Sequence, residues 1–112
     1  MGARSVEACV GTLDTLIVAL CADFERREGR CEDRRVAMEF KYLNARMLDA
    51  AAEIVGHRYA AIIIYEIGNR IGYASSAIPD ISESTYKRRK MAVKTAIAKK
   101  LYLMAKPHAL SF

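Results

Sequence analysis

The chain has 112 residues, 53% of them hydrophobic and 28% charged, which suits one globular domain with its own core and excludes a disordered tail. No apolar run approaches the ~20 residues of a bilayer span; a run such as Tyr59 to Tyr65, which none exceeds, makes about two helical turns and removes the membrane from the expected partners. The formal net charge of +5 is unevenly placed: residues 82–112 hold eight basic groups against the one acid Glu83, net +7, while residues 1–81 hold ten basic and twelve acidic groups, net −2.

Val6, Val10, Leu13, Ile17, Leu20 and Phe24 step by 4, 3, 4, 3, 4, the stripe of an amphipathic helix. The spacing predicts a first helix over 6–27, with Ser5 as N-cap and Gly29 as a left-handed C-cap. Val36, Phe40, Leu43, Met47, Ala50 and Ile54 repeat the rhythm and predict a second helix over 32–55. The short link around Gly29 makes the two an antiparallel hairpin over 6–55. Heptad-spaced faces of this kind close on each other or leave part of the seam to a second chain, and a homodimer through the hairpin is the expected assembly.

Gly56 ends the second helix, and a third is expected over 58–71. Its first half is apolar on every side, which assigns it a central position. The β-branched run Ile62, Ile63, Ile64 would also suit a strand, but no second strand is present to pair with it. Residues 72–81 hold Gly72, Ser75, Ser76 and Pro79, the composition of a loop, and Pro79 prevents one continuous helix. Ser82 then offers an N-cap with Glu83 just inside, and a fourth helix runs over 83–105 to the stop at Pro107. The expected fold is all-α: four helices in a single domain, 1–112, with a helix-turn-helix-like unit over 58–105.

On a helical wheel of the fourth helix Tyr86, Val93, Ile97 and Met104 share one stripe, with Leu101 at its edge, while Ser84, Lys87, Arg88, Met91, Lys94 and Thr95 point away from it. Such a helix is held by its apolar back and presents cations and hydroxyls from its front, the arrangement of a recognition helix. Arginine bonds two acceptors of guanine in the major groove and lysine neutralises phosphate. Most charged helix faces are merely solvated, and Lys99, Lys100 and Lys106 complement the C-terminal end of the dipole. The run Lys87-Arg88-Arg89-Lys90 instead opposes the dipole in the first two turns, an arrangement that an external anion would offset.

The segments Glu66-Ile67-Gly68-Asn69-Arg70-Ile71-Gly72 and Ile81-Ser82-Glu83-Ser84-Thr85-Tyr86-Lys87-Arg88-Arg89-Lys90-Met91-Ala92-Val93 resemble the helix-turn-helix of sigma-factor region-4-like proteins, and are most similar to ArpU-type phage transcriptional regulators. The resemblance covers residues 59–105. It implies a transcriptional regulator of phage or mobile-element type that binds double-stranded DNA, with RNA polymerase or another protein as a further partner. It also implies DNA contacts at Ser82, Ser84, Thr85, Lys87, Arg88 and Lys94, to which the wheel adds Met91 and Thr95. The chain departs from the pattern in a connection of about nine residues between Gly72 and Ser82, where a standard turn has three to four, and in Gly68 where alanine is usual.

Enzymatic readings find no support. His108 has no acid at i±3 or i±4 and His57 has only Glu53 at i−4, on the far side of the helix break at Gly56; no phosphate-binding glycine motif occurs, and neither a catalytic residue nor a cofactor is expected. Glu25, Glu28 and Glu32 alternate with Arg26, Arg27, Arg30, Arg34 and Arg35, which suits a surface ion-pair network better than an acid/base pair. Cys9, Cys21 and Cys31 cannot all pair and lack metal-knuckle spacing, so reduced thiols and no metal site are expected. With Glu7 and Asp14 breaking any signal-peptide pattern, the expected location is the cytoplasm. The competing reading is a non-enzymatic helical adaptor whose basic helix meets an acidic protein or RNA.

Overall fold

The structure, a computed structural model, describes residues 13–27, 29 and 32–101. Among these there is no strand, and the all-α expectation holds. The elements are α1 over 13–22, the single turn α2 at Phe24–Arg27, α3 at Arg34–Val55, α4 at His57–Gly68, a 3-10 turn at Tyr73–Ser75 and α5 at Glu83–Lys100. Ser5, Val6, Val10, Cys9, Cys31, Met104 and Pro107 lie outside the described residues. No helix is long and apolar enough to cross a membrane, among the described residues.

The first helix does not run unbroken to Arg27. Asp23 interrupts it as a single turn residue: Asp23 N donates to the Ala19 carbonyl at 3.2 Å, and the Asp23 carbonyl accepts from Arg26 N at 3.2 Å and Arg27 N at 2.9 Å, so Phe24–Arg27 follows as one further turn. Gly29 is not in the left-handed region, so the expected cap is not formed there. Of the surface network expected around it, Glu28 and Arg30 lie outside the described residues. Arg26 pairs with Asp23 at 3.3 Å, whereas Arg27 is buried and donates to Asn44 Oδ1 and, at 2.6 Å, to the Leu20 carbonyl. Asn44 Nδ2 donates in turn to the Phe24 carbonyl at 2.9 Å. This polar pair fixes the end of the first helical segment against α3.

Asp33 caps α3, accepting from Arg35 N at 2.8 Å and Val36 N at 3.4 Å. One residue, Gly56, separates α3 from α4. Its φ of 83° and ψ of 160° lie where a side chain is rarely tolerated. So abrupt a reversal forces α3 and α4 to pack closely, and α3 is also the helix against which α5 packs. Met47, Ala50, Ile63, Ile64, Val93 and Ile97 meet in the shared core. α4 is not central on every side, for Arg58, Ala61 and Tyr65 face solvent. Its apolar circumference reflects its small residues as much as burial.

α4 ends three residues before Ile71. Asn69 and Arg70 leave the helix, Arg70 at φ 55°, while Arg70 N bonds the Ile67 carbonyl at 3.3 Å and Ile71 N bonds the Glu66 carbonyl at 2.9 Å. This is a Schellman termination with arginine where glycine is commoner. The connection to α5 therefore spans 69–82, longer than expected.

Gly68 faces the backbone of α1. A Cβ built there would lie 2.5 Å from Ala22 N and from the Cys21 carbonyl carbon, neither of which can yield as a side-chain tip would. Gly68→Ala gains up to about 1 kcal/mol of helix propensity, but the overlap with backbone forces α1 away. Net destabilisation of about 1–3 kcal/mol is expected by urea unfolding. Gly72→Ala, which meets nothing within 4 Å, should stay within about 0.5 kcal/mol of wild type.

Candidate nucleic-acid interface

α5 begins at Ser82, whose hydroxyl accepts from Thr85 N at 3.2 Å and contacts Thr85 Oγ1 at 2.9 Å and Ser84 Oγ at 3.3 Å. The N-cap predicted from the sequence is thus formed. Tyr86, Val93, Ile97 and Ala98 are the buried residues of α5, which agrees with the predicted apolar back over the described residues. Rotation of α5 about its own axis is therefore set by core packing.

What positions its first turns is a buried carboxylate that the sequence reading did not single out. Glu66 is 2% exposed. Its Oε1 accepts from Ser76 Oγ at 2.7 Å and Tyr86 Oη at 2.8 Å, and its Oε2 accepts from Ala77 N at 2.7 Å. Three donors offset the desolvation of a charge that would otherwise make this position unfavourable. Tyr86 Oη also lies 3.2 Å from the Ile71 carbonyl, which receives Lys90 Nζ at 2.7 Å. Tyr73 adds a bond from its hydroxyl to the Ile81 carbonyl at 2.8 Å, and its ring packs at 5.8 Å from that of Tyr86. The end of α4, the 69–82 connection and the start of α5 are thereby joined around one side chain. Only the acid at position 66 within an apolar run signalled this in the sequence.

Of the site residues named from the sequence, Ser82, Ser84, Lys87, Arg88, Met91 and Thr95 are exposed, and Thr85 is half-buried. Lys87 pairs with Glu83 at 3.4 Å, and Arg88 Nη2 reaches Thr85 Oγ1 at 3.5 Å; both contacts are open to water. Met91 is 58% exposed, a large apolar group in the middle of a polar face. Arg89 is exposed too.

Lys94 is placed differently from the expectation. Its ammonium bonds Asp14 Oδ1 at 3.0 Å and its side chain is 21% exposed, so it ties α5 to α1 instead of projecting outward. Lys90 also turns inward, over the Tyr86 ring at 5.2 Å and onto the Ile71 carbonyl. Burial, followed by the neighbouring Lys94 charge, lowers its pKa from the ordinary lysine value. Two of the cations attributed to an external anion therefore have internal partners. The outward positive face contracts to Lys87, Arg88 and Arg89, with Lys87 also paired to Glu83, and is continued a few turns later by Lys99.

Thr95 and Lys99 also border an open groove of about 580 Å³ between α3 and α5, with Arg46, Glu53 and Lys100 among its other walls. Lys100 Nζ bonds Glu53 at 3.0 Å and the Lys100 carbonyl accepts from Arg46 Nη2, which closes the C-terminal end of α5 onto α3. No group of histidines, cysteines and acids suited to a metal occurs among the described residues. Burial pushes the Cys21 thiol up to about 12, which leaves it unreactive. No family model, curated protein or solved structure matches the chain.

Burial, and then the bond to Glu66, push the Tyr86 hydroxyl up to about 12. A phenol held above its ordinary value of about 10 stabilises the fold below pH 10 and loses that contribution as the pH climbs to about 12. Tyr86→Phe should cost about 1–3 kcal/mol at neutral pH, because it leaves the buried carboxylate one donor short. Between pH 10 and 12 the difference from wild type should narrow, as urea titrations across that range would reveal.

Proposed function

We propose that the chain is a non-enzymatic DNA-binding protein, a transcriptional regulator, that presents α5 to the major groove of a duplex. The observation that supports this most is the exposure of Ser84, Lys87, Arg88, Arg89 and Met91 over the first turns of a helix whose back is locked at Tyr86, Val93 and Ile97. A groove about 12 Å wide admits one helix, and the 18 residues of α5 extend about 27 Å along their axis. Lys87 and Arg89 supply phosphate contacts, Arg88 supplies the base contact, and Met91 offers an apolar surface to a thymine methyl group. The sequence resemblance to sigma-factor region-4-like regulators points the same way. The adaptor reading uses the same face for an acidic protein and predicts no preference among duplexes.

Salt titration separates the two classes of lysine. Lys87→Ala should weaken binding to all duplexes alike and reduce the slope of log affinity against log salt by about one unit. Lys94→Ala, which removes an internal ion pair, should lower stability while leaving that slope in place. Arg88→Ala should cost about 1–3 kcal/mol on a selected site and less on random duplex. Unchanged affinity after combined replacement of Lys87, Arg88 and Arg89, with the fold intact by circular dichroism, would eliminate the DNA reading.

A further inference from the structure

α3 carries two stripes on opposite sides. Leu43, Met47, Ala50 and Ile54 belong to the core or pack against it, and Val36 and Phe40, on the same stripe, are half-buried. Arg35, Met38, Tyr42, Ala45 and Asp49, again stepping by 3 and 4, are all exposed. Met38 is 71% and Tyr42 65% exposed, the two most exposed large apolar side chains among the described residues. Isolated exposed hydrophobics are common on monomers. A heptad-spaced row on the back of a helix already anchored by its front is the seam of a helix pair.

The charges at the ends of the row identify the occupant. Arg35 and Asp49 each lie seven residues from Tyr42, on opposite sides of it, and neither has an ion-pair partner among the described residues. We infer that the outer face of α3 is a homodimer interface in which two copies of α3 run antiparallel with the two-fold axis at Tyr42. That symmetry sets Arg35 against the partner's Asp49 twice over. It also brings the large Met38 beside the small Ala45 of the partner. A parallel pair would oppose arginine to arginine and aspartate to aspartate, so the row is self-complementary in one orientation only. The seam differs from the hairpin stripes expected to form a dimer, of which Leu13, Ile17, Leu20, Phe24, Leu43, Met47, Ala50 and Ile54 belong to the core or pack against it. It stands independently of DNA binding by α5.

Sedimentation velocity on the full chain tests the interface. Wild type is expected at twice the 12.5 kDa chain mass. Arg35→Glu and Asp49→Arg are both surface changes, and circular dichroism should show the fold retained. Each alone sets like charges together at both ends and should weaken dimerisation by at least roughly tenfold. An equimolar mixture of the two variants should recover near-wild-type affinity as a heterodimer, because each chain then meets its opposite charge twice. A wild type that stays at 12.5 kDa up to about 100 μM overturns the inference. So does a dimer that ignores both substitutions, or a mixture that shows no preference for the heterodimer.

Discussion

The geometry of the basic face depends on a carboxylate in the protein interior. Glu66 sits where a charge is least welcome, and it is kept there because the neighbouring loop and α5 supply donors on both oxygens. The arrangement is mutual. Residues 69–82 form little regular structure and are anchored by Ile78 in the core, Ile81 against it, and the polar bonds to Glu66 and to the Ile71 carbonyl. Through Tyr86 the same side chain orients the first turns of α5, where the exposed cations stand. Function proposed for the surface thus traces back to a buried acid.

The helix-turn-helix comparison changes when the packing is considered. In this fold α5 lies mainly on α3 and only grazes α4. The long connection relocates α5 instead of merely tilting it, and the polar cluster around Glu66 takes the place of direct α4 to α5 packing. The front of α5 nevertheless remains open, since its back is filled by a helix from the first half of the chain.

The helices were legible because each apolar stripe has one consistent period, and Ser82 and Gly56 punctuate them by chemistry that is local. The inward turns of Lys90 and Lys94 were not. A lysine stem is long enough to bring its ammonium well away from the direction of its Cβ, so a wheel angle leaves the destination open, and Asp14 is eighty residues distant in the chain. Arg27 was hidden among exposed arginines for the same reason, its buried partner Asn44 being seventeen residues away. The end of α4 was misplaced because a Schellman turn can use arginine in the left-handed position, whereas the eye goes to Gly72. The close approach at Gly68 depends on the path of α1, which no local pattern specifies.

The single residue between α3 and α4 has a kinetic consequence. Closing a loop costs entropy that grows with its length, and here the loop is Gly56 alone. Residues near the corner can collide at almost no cost in chain freedom, which favours this hairpin as the folding nucleus. The contact between Lys94 and Asp14 joins segments eighty residues apart and carries a larger loop-closure cost. Assembly would then proceed outward from Gly56, with the basic face of α5 among the later parts to be set in place.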